Sequence, residues 1–193
     1  MTVLALASAC TGTEPGSPSP TGDVPPASGA PTSAVPTSGA GDAPAVSDPR
    51  DASATTACEA LTAAQVGELA LNAGSRRELT LPRPFAQGCA WTSPDSAWSV
   101  GFGFASEGLG TLYRARDNFQ HFEPRDLDGR PAVDAQTVYN AEDCYTYVGL
   151  ADDQTLYVNV DNSPALADTP LPPACERLDT IAKMIIGNLP PLK

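Results

Sequence analysis

The sequence is short of several features that would narrow its function. It has no run of about 20 apolar residues, the length needed to span a bilayer as a helix. None of its five cysteines form a C-x-x-C pair, so neither a zinc site nor a thioredoxin-like redox motif is expected. It holds a single histidine, His121. The glycine-containing stretches "GFASEG" and "GLGT" match neither the nucleophile elbow G-x-S-x-G nor the phosphate loop G-x-x-x-x-G-K-[ST]. Basic residues are scarce as well: 11 Lys and Arg stand against 23 Asp and Glu, giving a net charge of −12 and a pI near 4.2. Such a chain repels phosphate backbones, so nucleic acid is not an expected partner. An anionic bilayer also repels it, so membrane contact requires an anchor rather than a basic patch.

What is present begins with "MTVLALASACTG". Read back from Cys10, a short apolar run and the small residues Ala7-Ser8-Ala9 fit a lipoprotein cleavage site. Residues 1–9 are expected to be the C-terminal part of a lipoprotein signal peptide. Its basic front is missing, and the expected start lies upstream of Met1. Cys10 is the expected lipid-bearing residue, and the lipid would hold the protein on the outer face of the cytoplasmic membrane. More than one acyl chain is needed for stable attachment.

Residues 10–57 read as that cysteine followed by a disordered tether rich in Pro, Ser, Thr, Ala and Gly. Residues 11–57 contain no aromatic residue, no Leu or Ile, and one basic residue, Arg50. They cannot bury enough apolar surface to offset the entropy of ordering. As a coil they would span roughly 40 Å, and as polyproline up to about 145 Å.

The pattern changes at Cys58, and residues 58–193 read as one folded domain. "CEALTAAQVGELAL" has Leu61, Val66, Leu69 and Ala70 at helical spacing, with Thr62 and Gln65 as a capping box. "NAGSRRELTLPRPFAQG" reads as loop and "CAWTS" as a short strand. In "WSVGFGFAS", Trp98, Val100, Phe102 and Phe104 share one strand face; Ser99, Gly101, Gly103 and Ala105 share the other. "LGTLYRARDNFQHF" reads as a second helix, with Leu112, Ala115 and Phe119 on one side. "DLDGRPAV" is a turn into a short strand. "DCYTYVGL" and "TLYVNVD" are strands joined in a hairpin at "ADDQ", with Cys144, Thr146, Val148, Leu150, Leu156, Val158 and Val160 inward. The last helix, "PPACERLDTIAKMIIGNLPP", presents Cys175, Leu178, Ala182, Ile185 and Leu189 on one face. The expected fold is α+β: an antiparallel sheet of about five strands with helices packed on it.

Setting Cys10 aside leaves an even set, Cys58, Cys89, Cys144 and Cys175, which suits two disulfides in an oxidising compartment. Of three possible connectivities, Cys58–Cys89 with Cys144–Cys175 is preferred, because each bridge would pin a terminal helix to a strand. The sequence does not force this choice. Each bridge closes a loop of about 30 residues, contributing roughly 3–4 kcal/mol in the chain-entropy treatment.

Chemistry is harder to find. His121, in "NFQHFEP", could serve as a general base; at the end of a predicted helix a surface or capping role is the commoner one. "DLDG" lacks the rest of a calcium loop, and no metal or cofactor is expected. Asp152 and Asp153 read as hairpin-tip charges. Glu142 and Asp143 are adjacent, so in a strand they point to opposite faces and cannot act as a pair. One constellation stands out: with the core faces as assigned, Tyr145, Tyr147, Tyr157 and Asn159 share the outer face with Gly101 and Gly103. Glycines leave room and tyrosines supply rigid area with a polar tip, so the set could form a shallow binding groove. The same residues also fit a plain sheet in which aromatics cover neighbouring glycines.

Taken in order, "EALTAAQVGEL" after Cys58, "CAWTS", "DGRPAV", the strand from Cys144 and "ACERLDTIAKMIIGNLP" form a set. Behind a lipoprotein-type start and a tether, that set resembles the actinobacterial lipoproteins grouped as domain of unknown function 3558. The resemblance covers residues 58–190. It implies a surface lipoprotein and brings no catalytic residues. More distantly, the domain is similar to extracellular sensor domains of some actinobacterial Ser/Thr kinases. The expected function is that of a membrane-anchored, extracytoplasmic, non-catalytic binding or interaction module for a small molecule, a peptide or an envelope protein. A sensory or accessory subunit of a membrane complex is the alternative, and a hydrolase using His121 a further one.

Overall fold

A computed structural model describes residues 43–139, 143–163 and 173–193. All of them belong to one compact unit, Val35–Lys193. The expected signal, Cys10 and most of the tether lie outside the described residues.

Period-2 patterning sets the sheet. The described strands are β1 (Arg77–Thr80), β2 (Phe85–Thr92), β3 (Trp98–Ala105), β4 (His121–Leu127), β5 (Arg130–Gln136), β6 (Asp143–Ala151) and β7 (Gln154–Asn162). They form one antiparallel sheet in the order β1-β2-β3-β7-β6-β5-β4. That is seven strands rather than about five. Both additions are edge strands. β1 lies within the expected loop; it is mostly exposed and carries no inward apolar stripe. β4 occupies the end of the expected second helix.

That helix, α2, spans only Gly110–Arg114, followed by a 3-10 turn at Arg116–Asn118. Tertiary pairing overrides its helical spacing. The chain leaves β3 mid-sheet, crosses to the far edge and returns along β5 through Asp128–Gly129. Both turn residues have positive φ (53° and 83°), as a tight hairpin requires. The Asp126 carboxylate accepts from the Gly129 N–H at 2.7 Å and fixes the turn. The crossing connection is itself pinned to the β6–β7 hairpin. The Thr155 hydroxyl donates to the Glu107 carbonyl at 2.8 Å. A side chain on Gly108 would lie 1.9 Å from the Asp152 carbonyl oxygen, so only glycine permits this approach.

The core lies on one face of the sheet. Val100, Phe102, Val148, Leu150, Leu156, Val158 and Val160 are fully buried there, as their alternation predicts. Over them packs α3 (Ala174–Asn188), burying Leu178, Ile181, Ala182 and Ile185. Beside it, α1 (Ala63–Glu68) is shorter than expected, yet the Thr62–Gln65 capping box is formed. A 3-10 turn at Ala57–Glu59 precedes it. The disulfides are Cys58–Cys89 and Cys144–Cys175, with Cα separations of 5.0 and 5.2 Å. Each joins a helical start to a strand, the preferred arrangement.

The folded region also starts earlier than Cys58. Ala43, Ala52 and Ala57 are buried. Arg50 donates its N–H to Leu150 (2.7 Å), Asp51 to Pro190 (2.9 Å), and Leu192 donates back to Pro49 (3.0 Å). Asp48 pairs with Arg130 at 2.7 Å and with Arg50 at 2.8 Å. Residues 43–57 are therefore part of the domain, not tether. Composition alone reads them as unstructured because small alanines and main-chain hydrogen bonds, not large apolar side chains, hold them.

Candidate functional site

The side of the sheet away from α3 carries the tyrosines. Register places them in two adjacent rows: Gly101, Asn159 and Tyr145 face one another across β3, β7 and β6, and Gly103, Tyr157 and Tyr147 do so in the next row. All six residues thus share a face. The Tyr147 and Tyr157 rings lie 5.2 Å apart and Tyr145 and Tyr157 6.3 Å apart. A fourth ring, Phe85 at the start of β2, lies 5.3 Å from Tyr157 and 6.1 Å from Tyr147. Sequence reasoning missed Phe85 because it sits in the stretch taken as loop.

The glycines do not open the groove that was expected beside them. Leu81, just past β1, fills the notch they leave: a Cβ on Gly103 would come 2.5 Å from its Cδ1, and one on Gly88 2.7 Å. A Cβ on Gly101 would meet Asn159 Oδ1 at 2.6 Å, with Leu79 Cδ1 at 3.6 Å. Further along β6, Val46 and Leu109 pack on Gly149 in the same way. The open space lies on the other flank of the tyrosines. It is a pocket of about 290 Å³ lined by Tyr145, Tyr147, Tyr157 and the end of β5 with its following loop, Ala135–Val138. Val138 and Tyr139 project from that loop, 73% and 56% exposed.

At one end of the tyrosine rows is Asp161, opposite Asp143 in the β6–β7 register. Its carboxylate accepts from Asn159 Nδ2 at 2.9 Å, and at a longer 3.4 Å from the Ser99 and Tyr145 hydroxyls. Burial raises the Asp161 carboxyl above its ordinary value, and the Asp143 charge adds to this; the three hydrogen bonds work in the other direction. Burial, followed by the charges of Asp161 and Asp143, pushes the Tyr145 phenol up to about 12. Burial also raises Tyr147 and Tyr157. All three are neutral phenols at physiological pH.

The remaining candidates are dispersed. His121 stands on edge strand β4, not at a helix end, with Glu123 Oε2 at 3.8 Å and the Tyr139 ring at 5.3 Å. Among the described residues no hydroxyl or Asp hydrogen-bonds to it. Asp152 and Asp153 form the β6–β7 turn, as expected. Among the described residues no group of three or more His, Cys, Asp or Glu side chains is arranged to hold a metal, and no helix is long and apolar enough to cross a membrane. On the core side, Arg125 of β4 joins Asp134 at 2.8 Å, Thr146 at 3.1 Å and Asp179 of α3 at 2.6 Å. Burial opposes its charge, but the two carboxylates outweigh that and raise the guanidinium above its ordinary value.

The family model described as protein of unknown function (DUF3558) matches residues 5–188. No curated protein and no solved structure matches the chain.

Proposed function

The chain belongs to the DUF3558 family, and from that premise we propose that it is a membrane-anchored extracytoplasmic lipoprotein. Cys10 carries the lipid, the residues after it form the tether, and the disulfide-stapled domain is a non-catalytic binding module. Its ligand sits in the pocket walled by Tyr145, Tyr147 and Tyr157. The observation that carries this reading is the pocket itself. It is concave, aromatic on one wall and built on a rigid sheet, and at about 290 Å³ it suits a small molecule or one side chain of a larger partner. Two disulfides support an oxidising compartment.

The test is made in cells. Labelled fatty acid should enter the wild-type protein and not a Cys10→Ser variant; failure to label the wild type refutes the anchor. Protein purified from membranes should carry a ligand or partner detectable by mass spectrometry, lost in a Tyr145→Ala/Tyr157→Ala double variant. Retention of every such species by the double variant refutes the site. A second reading, an accessory subunit of an envelope complex, is favoured by the exposed Val138 and Tyr139 beside the pocket. Crosslinking from those positions in intact cells should then capture a membrane protein.

A further inference from the structure

A second pocket shares no lining residue with the tyrosine one. It lies where the segment before Cys58 meets the β4–β5 turn and α3. Its volume is about 190 Å³, and its walls include Asp48 and Arg50 from that segment, Leu127, Asp128 and Arg130 around the turn, and Lys183 and Ile186 from α3. Three of the chain's 11 Lys and Arg thus meet two carboxylates. Asp128 takes Lys183, at 2.9 Å. That leaves two arginines to one carboxylate: Arg50 Nη2 and Arg130 Nη2 both donate to Asp48 Oδ2, at 2.8 and 2.7 Å. Arg50 Nη1 also donates to the Leu189 carbonyl at 3.2 Å, which adds no countercharge. Arg130 is 7% exposed, yet its Nη1 donates to no group, and neither does Arg50 Nε; both atoms are buried. A buried guanidinium donor without an acceptor is costly.

The cluster therefore carries one positive charge in excess. Burial lowers the Arg130 guanidinium below its ordinary value; the Asp48 charge opposes this and the Arg50 charge adds to it. A cation is repelled here, and a neutral molecule leaves the excess in place. A doubly charged anion overshoots it. A carboxylate matches it in charge, and its two oxygens suit the planar guanidinium fork. The Asp48 side chain, 60% exposed, is the member able to give way: an incoming carboxylate takes one arginine and leaves Asp48 the other. Leu127 and Ile186 supply an apolar wall. The chain's net charge of −12 acts against any anion at a distance, but charges beyond about 8 Å are largely screened at physiological ionic strength.

We propose that this pocket binds a small monocarboxylic acid as its carboxylate, held by Arg130 and Arg50 with Lys183 beside them and with a short apolar stem against Leu127 and Ile186. A volume of about 190 Å³ admits a stem of only a few carbons. The site is independent of the tyrosine pocket and stands if that pocket proves empty.

The probes are butyrate and its uncharged isostere butanamide, titrated into the full chain and followed by the Nε–H signals of Arg50 and Arg130. Butyrate should shift both signals saturably and bind at least about tenfold tighter than the amide, a difference of about 1.4 kcal/mol. Inorganic phosphate should bind more weakly than butyrate. Lys183→Gln, a change at a half-exposed side chain, should weaken butyrate by about threefold or more. Asp48→Asn removes the competing carboxylate and should tighten butyrate by about threefold or more. That variant also loses a partner of Arg130, so butyrate should raise its melting temperature by more than it raises that of the wild type. Equal affinities for butyrate and butanamide, or no saturable shift with butyrate, would overturn the site. Phosphate binding tighter than butyrate would overturn the choice of a monocarboxylate. An Asp48→Asn protein that binds butyrate no tighter, and is stabilised by it no more than the wild type, would overturn the placement of the ligand on the two arginines.

Discussion

Folding takes the Asp161 carboxylate partly out of water and sets it opposite Asp143, so the folded chain holds that proton more tightly than the unfolded one. Between the ordinary carboxyl value of 3.8 and the raised one, the native state binds more protons, and stability falls as pH rises. At neutral pH the ionised group is a net burden. Asp161→Asn should therefore raise the melting temperature by a few degrees at pH 7, with the gain shrinking towards zero as the pH is lowered below the ordinary carboxyl range. Melting curves across that range check this; a variant less stable than wild type at pH 7 would contradict it. Asp95 behaves oppositely. Hydrogen bonds from Ser93 and the Ala97 N–H lower its pKa, so its contribution is present above the ordinary value and is lost on acidification.

Edge strand β4 and α3 depend on one another through Arg125. Its guanidinium spans Asp134 and Thr146 on the sheet and reaches Asp179 on the helix. Arg125→Met keeps much of the side-chain stem but removes the charged hydrogen bonds, and should cost about 2–3 kcal/mol in urea denaturation. A loss below about 0.5 kcal/mol would place the cluster with ordinary surface pairs. Strands that face the core on one side were readable from the sequence. Trp98, Val100 and Phe102 alternate with smaller residues, Cys144, Thr146 and Val148 alternate with tyrosines, and the tyrosines of β6 and β7 fall on the opposite face by the same rule. β1 and β4 were not readable. β1 contributes little to the core, and β4 contains Pro124, which only an edge tolerates. The Asp128–Gly129 pair was the available signal for β4, since it marks a tight hairpin and so demands a strand on both sides. The covering of Gly101 and Gly103 was beyond reach for a different reason. Leu79 and Leu81 reach them only through the order of strands, and no local pattern encodes that order.

The domain as a whole is closed by residues that look like linker. The arm from Ala43 to Ala57 contributes buried alanines, main-chain hydrogen bonds to Leu150 and Pro190, and the carboxylate that pairs with Arg130, itself 7% exposed. A chain beginning at Cys58 should be less stable than one beginning at Ala43 by about 2–4 kcal/mol, the combined effect of a few main-chain hydrogen bonds and the buried alanines. Equal unfolding midpoints would show the arm to be dispensable. The arm is a strap laid across both the β5 end and the α3 end of the fold, and its position has a mechanical consequence. A pull arriving along the chain ahead of Ala43 is met first by the contacts of Asp48, Arg50 and Asp51, all non-covalent, and only afterwards by the covalent bridge at Cys58. Under load the protein should lengthen in steps: it would peel its strap and then stop at the disulfide, with the tyrosine face still intact behind it.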